Sequence, residues 1–145
     1  MYKRILLAYD GTEAGQKALL DAREIAELTR STVFMVAVMP PPAALIGGES
    51  GVYDVKIEEE ERRQYQGILE DGLGRLKEGG HETSGKLVVG DAVDEITLHA
   101  KEIGADLIVV GHRHVDRWMQ RWWRGSVSKA LIEHAPCNVL VVITR

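Results

Sequence analysis

Cysteine is almost missing from this chain: Cys137 is the only one in 145 residues. No intrachain disulfide can form, so a small disulfide-built secreted domain is excluded and a reducing cytoplasm fits. Long hydrophobic runs are missing too. No stretch of about 18 apolar residues occurs, so no membrane insertion is expected. The longest apolar stretch, 33–46, is interrupted by Pro40, Pro41 and Pro42. The apolar part of the opening segment is too short for a signal peptide, and Asp10 ends it, so it reads as a first strand. An excess of positive charge is absent: the net charge is −4, which argues against broad attraction to nucleic acid. No Walker A sequence, nucleophile elbow or HExxH motif is present. His112 and His114 form the only close histidine pair, and no cysteine or carboxylate cluster stands beside them in a zinc spacing. No metal held by protein ligands is therefore expected. There is no internal repeat and no low-complexity tract.

What remains is the profile of one globular domain spanning 1–145, with 45% hydrophobic and 28% charged residues. Five short runs rich in Val, Ile and Leu fall at 4–9, 33–38, 83–89, 106–110 and 138–143. They are continuous rather than alternating, which means burial on both faces, as in a parallel sheet covered by helices. Between them lie segments of helical period. Ala14, Ala18, Ala22, Ile25 and Ala26 share one face of the first. Ile57, Tyr65, Leu69, Leu73 and Leu76 do so on the second, and Val93, Ile96, Ala100 and Ile103 on the third. A fourth helix spans 126–134. Thr12, Asp91 and Ser126 are N-cap residues, while Gly79-Gly80 and Gly104 are stops. Alternating strands and helices give an α/β, doubly wound sheet with right-handed crossovers. The segment 39–54 has no period and reads either as a binding loop or as a surface connector.

Ligands of open α/β sheets bind beyond the carboxyl ends of the strands, where strand order reverses. Two strand ends here carry suitable chemistry. The first continues into Asp10-Gly11-Thr12, and the fourth ends on Gly111. A helix opening at Gly125-Ser126 would offer free N–H groups to an anion such as phosphate. If the first and fourth strands are neighbours, Asp10, Gly111, Gly125, Ser126 and Val127 converge. Two plainer readings stand beside this one: Asp10 as a helix-entry cap and Gly125 as a turn glycine. Cys137, at the start of a buried strand, reads as a small core residue. The run Glu58 to Glu61 fans around its helix, so those carboxylates do not converge.

The segments ILLAYDGTEAGQKAL, LVVGDAVDEI, ADLIVVGHRH and RGSVSKALIEHAPCNVLVV resemble the universal stress protein family, over the whole chain. The resemblance implies a five-stranded parallel sheet of order 3-2-1-4-5 and a homodimer joined through the last strand. It also implies a cytoplasmic stress-response protein that binds adenine nucleotide, ATP above all, accompanied by Mg²⁺. Nucleotide-binding members use Gly-x2-Gly-x9-Gly-Ser/Thr. Gly111 fits the first glycine, and Gly125 and Ser126 fit the closing pair. The resemblance places Ala8 and Asp10 near the nucleoside, Val38 beside the adenine, and Val110, Ser126 and Val127 around the rest. Two departures stand out. His114 occupies the second glycine position, and ten residues rather than nine separate it from Gly125. A side chain there either crowds the phosphates or, as a protonated His114, holds them. No general base is evident, so slow or absent hydrolysis is expected. The alternatives are a dimeric interaction protein that does not use nucleotide, and a weak ATPase. The segment 113–124, with Arg113, Arg117, Arg121, Arg124, Trp118, Trp122 and Trp123, reads as a packing or partner surface ahead of a phosphate clamp. The regulatory partner itself is not legible.

Overall fold

The computed structural model of the protein describes residues 1–41, 55–113 and 127–144. The elements run β1 (Arg4–Ala8), α1 (Glu13–Thr29), β2 (Thr32–Met39), α2 (Val55–Glu78), β3 (Thr83–Val89), α3 (Ala92–Ile103), β4 (Leu107–Arg113), α4 (Val127–His134) and β5 (Asn138–Thr144). The five strands form one parallel sheet of order β3-β2-β1-β4-β5. The chain winds from β1 outward to β3, then jumps back to β4 and winds outward the other way. The reversal lies between β1 and β4, where Ala8 pairs with Val110.

Burial on both faces holds for the three central strands β1, β2 and β4, but not for the edge strands. β3 has no buried residue and β5 only Val142, because an outer strand has a neighbour on one side only. Ile5, Leu7, Val33, Met35 and Val109 pack with α1 and α2 in one core. Leu6, Val36, Ile108 and Val110 pack with α3 and α4 in the other. Successive residues of β1 thus feed opposite layers, as strand geometry requires.

The caps on α1 and α3 have a direct structural basis. The Thr12 side chain accepts from the Gly15 amide, and the Asp91 side chain from the Asp94 amide. Gly104 closes α3 in the left-handed region at φ 64. Helix α1 ends on Arg30, also left-handed at φ 55, a stop with no glycine to announce it. The Ser126 cap and almost all of the 39–54 loop lie outside the described residues.

Two further expectations are corrected. Ile57 was placed on the buried face of α2 but is 61% exposed. A 24-residue helix is about 36 Å long, whereas an eight-residue strand covers about 26 Å. The first turns of α2 therefore overhang the sheet, and its buried stripe is Leu69, Gly72 and Leu76. The fourth strand was expected to end at Gly111. It continues through His112 to Arg113, because β5 supplies pairing partners up to Thr144.

Candidate functional site

The βα turn after β1 is built by short polar side chains. Gly11 sits at φ +77, a region open to glycine. The Asp10 Oδ1 accepts from the Thr12 amide at 3.0 Å and from the Thr12 hydroxyl at 2.6 Å. The Thr12 hydroxyl oxygen in turn accepts from the Gly15 amide at 3.1 Å. The Gln16 side-chain amide donates to the Gly11 carbonyl at 3.2 Å. This turn sets Asp10 at the carboxyl end of β1, beside the end of β4.

A cavity of about 120 Å³ opens there, at the reversal point of the sheet. Six of the expected site residues surround it: Ala8, Asp10, Val38, Val110, Gly111 and Val127. The wall also includes Tyr9, Val36, Ala92 and Ile96. His114, Gly125 and Ser126 lie outside the described residues, as does most of the Arg/Trp segment.

Sequence spacing puts Ile96 on the packing face of the third helix and assigns no role to Ala92. The available signal was Gly90-Asp91: a capped helix start after a strand also sits at the ligand end of the sheet. Tyr9 joins the wall, but its ring belongs to the opposite core, where a methyl group on Gly72 would lie 2.7 Å from it. Burial, more than the charges of Arg75 and Asp71, moves its hydroxyl, and the balance raises the pKa above the usual phenol value.

Gly111 has a role in packing. A Cβ on it would run into the carbonyl of Ala14 and lie 2.7 Å from the Gly15 nitrogen. The first turn of α1 thus rests directly on β4. Beyond Gly111, His112 Nδ1 lies 3.4 Å from the hydroxyl of Ser128, linking the tip of β4 to the first turn of α4. Asp10 serves the helix entry through Thr12, with one oxygen engaged there, and also faces the cavity.

A sequence profile of the universal stress protein family matches residues 1–142. The chain belongs to the universal stress protein family. It is 28% identical over 148 residues to the universal stress protein YxiE of Bacillus subtilis, covering 98% of this chain and 99% of that one. Among solved structures it is similar to a universal stress protein family member from Burkholderia pseudomallei. That match has TM-score 0.76 and 28% identity, and covers 97% of this chain and 96% of the other. The universal stress protein of Archaeoglobus fulgidus in complex with dAMP shares the fold at TM-score 0.70 and 24% identity, covering 97% of this chain and 98% of that one.

Membership sets the remaining groups in context. No set of three or more metal-ligating side chains occurs among the described residues. No described helix is long and apolar enough to cross a membrane. Cys137 is partly buried against the second core. Burial first, and then the nearby charge of Asp106, raises its thiol pKa, which disfavours the nucleophilic thiolate.

Proposed function

We propose that this universal stress protein binds an adenine nucleotide, with ATP as the physiological ligand, and acts as a regulatory binding module rather than an enzyme. The observation that carries the reading is the cavity between the ends of β1 and β4, apolar on most sides with Asp10 in its wall. Small-molecule pockets commonly measure about 300–1,000 Å³. The cavity is smaller, so its described walls suit a fragment such as a purine base with part of its sugar. Val38, Val110 and Ile96 would cover the base. Asp10 would accept from the nucleoside. The phosphates would extend outward toward Gly125, Ser126 and Val127, where main-chain N–H groups hold anions, with His114 beside them. Mg²⁺ would ride on the phosphate oxygens. Universal stress proteins of the same fold exist in complex with cAMP, with dAMP and, from Arabidopsis thaliana, with AMP, which supports an adenylate as the ligand class.

Hydrolysis is expected to be slow or absent. Among the described lining residues Asp10 offers the only carboxylate, and its Oδ1 already takes two donors. Equilibrium dialysis of the purified protein with labelled ATP tests the reading. Saturable uptake is expected, and none at millimolar ATP refutes it.

A second reading has one observation of its own. The packing of α1 against β4 accounts for Gly111 with no ligand involved. On that reading the protein is a dimeric interaction module, and Gly125→Arg leaves its activity in cells untouched. Under either reading the expected assembly is a cytoplasmic homodimer through β5. That strand pairs with β4 on one side, and an exposed apolar edge favours pairing with another chain.

A further inference from the structure

Asp10 is more firmly held than an exposed carboxylate at a strand end needs to be. Both the amide and the hydroxyl of Thr12 donate to Oδ1, and Oδ2 takes neither. The 2.6 Å hydroxyl contact belongs to the short, charge-assisted class. Gly15 completes the arrangement: a Cβ there would lie 2.5 Å from Oδ1, so the carboxylate rests against the backbone of α1. A group fixed in this way loses little freedom when a ligand meets it. The charge also limits what that ligand group can be. A carboxylate repels phosphate and accepts from O–H or N–H, so it suits the nucleoside end of a nucleotide, where the ribose hydroxyls and the adenine amine are the donors.

Resting on the nucleotide reading above, we propose that Thr12 is a positioning residue for sugar recognition: its hydroxyl locks Asp10 through Oδ1 and leaves Oδ2 to accept from a ribose hydroxyl. Thr12 does two separable things. Its oxygen lone pair caps α1 by accepting from Gly15, and its proton goes to Asp10. Asparagine, aspartate and serine all cap helices at least as well as threonine. Thr12→Asp therefore keeps the cap and removes the proton. Thr12→Ser keeps both, and Thr12→Val removes both.

The test measures the affinity of the full chain for ATP and for 2′,3′-dideoxy-ATP, with circular dichroism to confirm that each variant is folded. A hydrogen bond to a charged group contributes roughly a tenfold factor or more. Wild type and Thr12→Ser should therefore prefer ATP by about that factor. In Asp10→Asn, Thr12→Asp and Thr12→Val the preference should fall toward one. The added charge of Thr12→Asp weakens both ligands together, so the ratio is the readout. An unchanged ratio in folded Thr12→Asp overturns the proposal, as does an equal loss for both ligands in Thr12→Val. A wild type that binds both ligands equally overturns it too, while leaving the nucleotide reading intact. A wild type that binds neither ligand removes the nucleotide reading, and this inference with it.

Discussion

A side chain at Gly111 would meet the backbone of α1, which cannot move aside without lifting the helix from the sheet. Gly111→Ala is therefore expected to cost at least about 2 kcal/mol of stability, measured by urea denaturation, whether or not nucleotide is present. A loss of ATP binding in that variant would say nothing about phosphate contact unless the fold is shown to persist. Tyr9 makes the opposite case. Its hydroxyl is buried and has no partner among the described residues. Tyr9→Phe should be neutral or stabilise by up to about 1 kcal/mol near pH 7. The phenol pKa is raised in the folded state. Its contribution is fully present below the unfolded-state value near 10 and is lost as pH rises through the higher folded value. Tyr9→Phe should flatten the fall in stability above about pH 10, as followed by thermal melts across that range.

Helices α2 and α3 show how local sequence and neighbouring layers divide the work. Gly72 is fixed by Tyr9 and Met35, both under 3 Å from where its Cβ would sit, whereas among the described residues nothing lies within 4 Å of a Cβ on Gly67 or Gly74. Gly67→Ala and Gly74→Ala should each stabilise the protein by roughly 0.5–1 kcal/mol, read from denaturation midpoints. Gly72→Ala should destabilise it. In α3, Asp91→Ala removes the bond to the Asp94 amide and should cost about 1 kcal/mol. The caps at Thr12 and Asp91 and the stop at Gly104 were legible because each works through residues a few positions away. The exposed start of α2 was not, because helical period alone cannot tell where the sheet beneath it ends. The extra residues of β4 were missed for a similar reason: they exist because β5 runs alongside them.

At the scale of the whole molecule, β3 and β5 are the edges of the sheet. Ile143 is 53% exposed near the end of β5. If two chains join there, Ile143→Lys should shift the protein from dimer toward monomer in sedimentation velocity at micromolar concentration. A monomeric wild type would count against pairing through this strand. The Lys17 ammonium lies 3.5 Å from the Ile143 carbonyl, so α1 already reaches the tip of that edge and borders any contact made there.

The sequence by itself determined the alternation of elements, the two-sided burial of the central strands and the caps at Thr12 and Asp91, because these depend on residue type and short spacing. It also carried the resemblance from which the 3-2-1-4-5 order and six of the cavity's wall residues were expected. Only the tertiary structure decided that Ala92 and Ile96 complete that wall, that Gly111 is bare for the sake of α1, and that one oxygen of Asp10 is already engaged. Each of these depends on which backbone lies against which, and that distance is set by the packing of layers far apart in the chain.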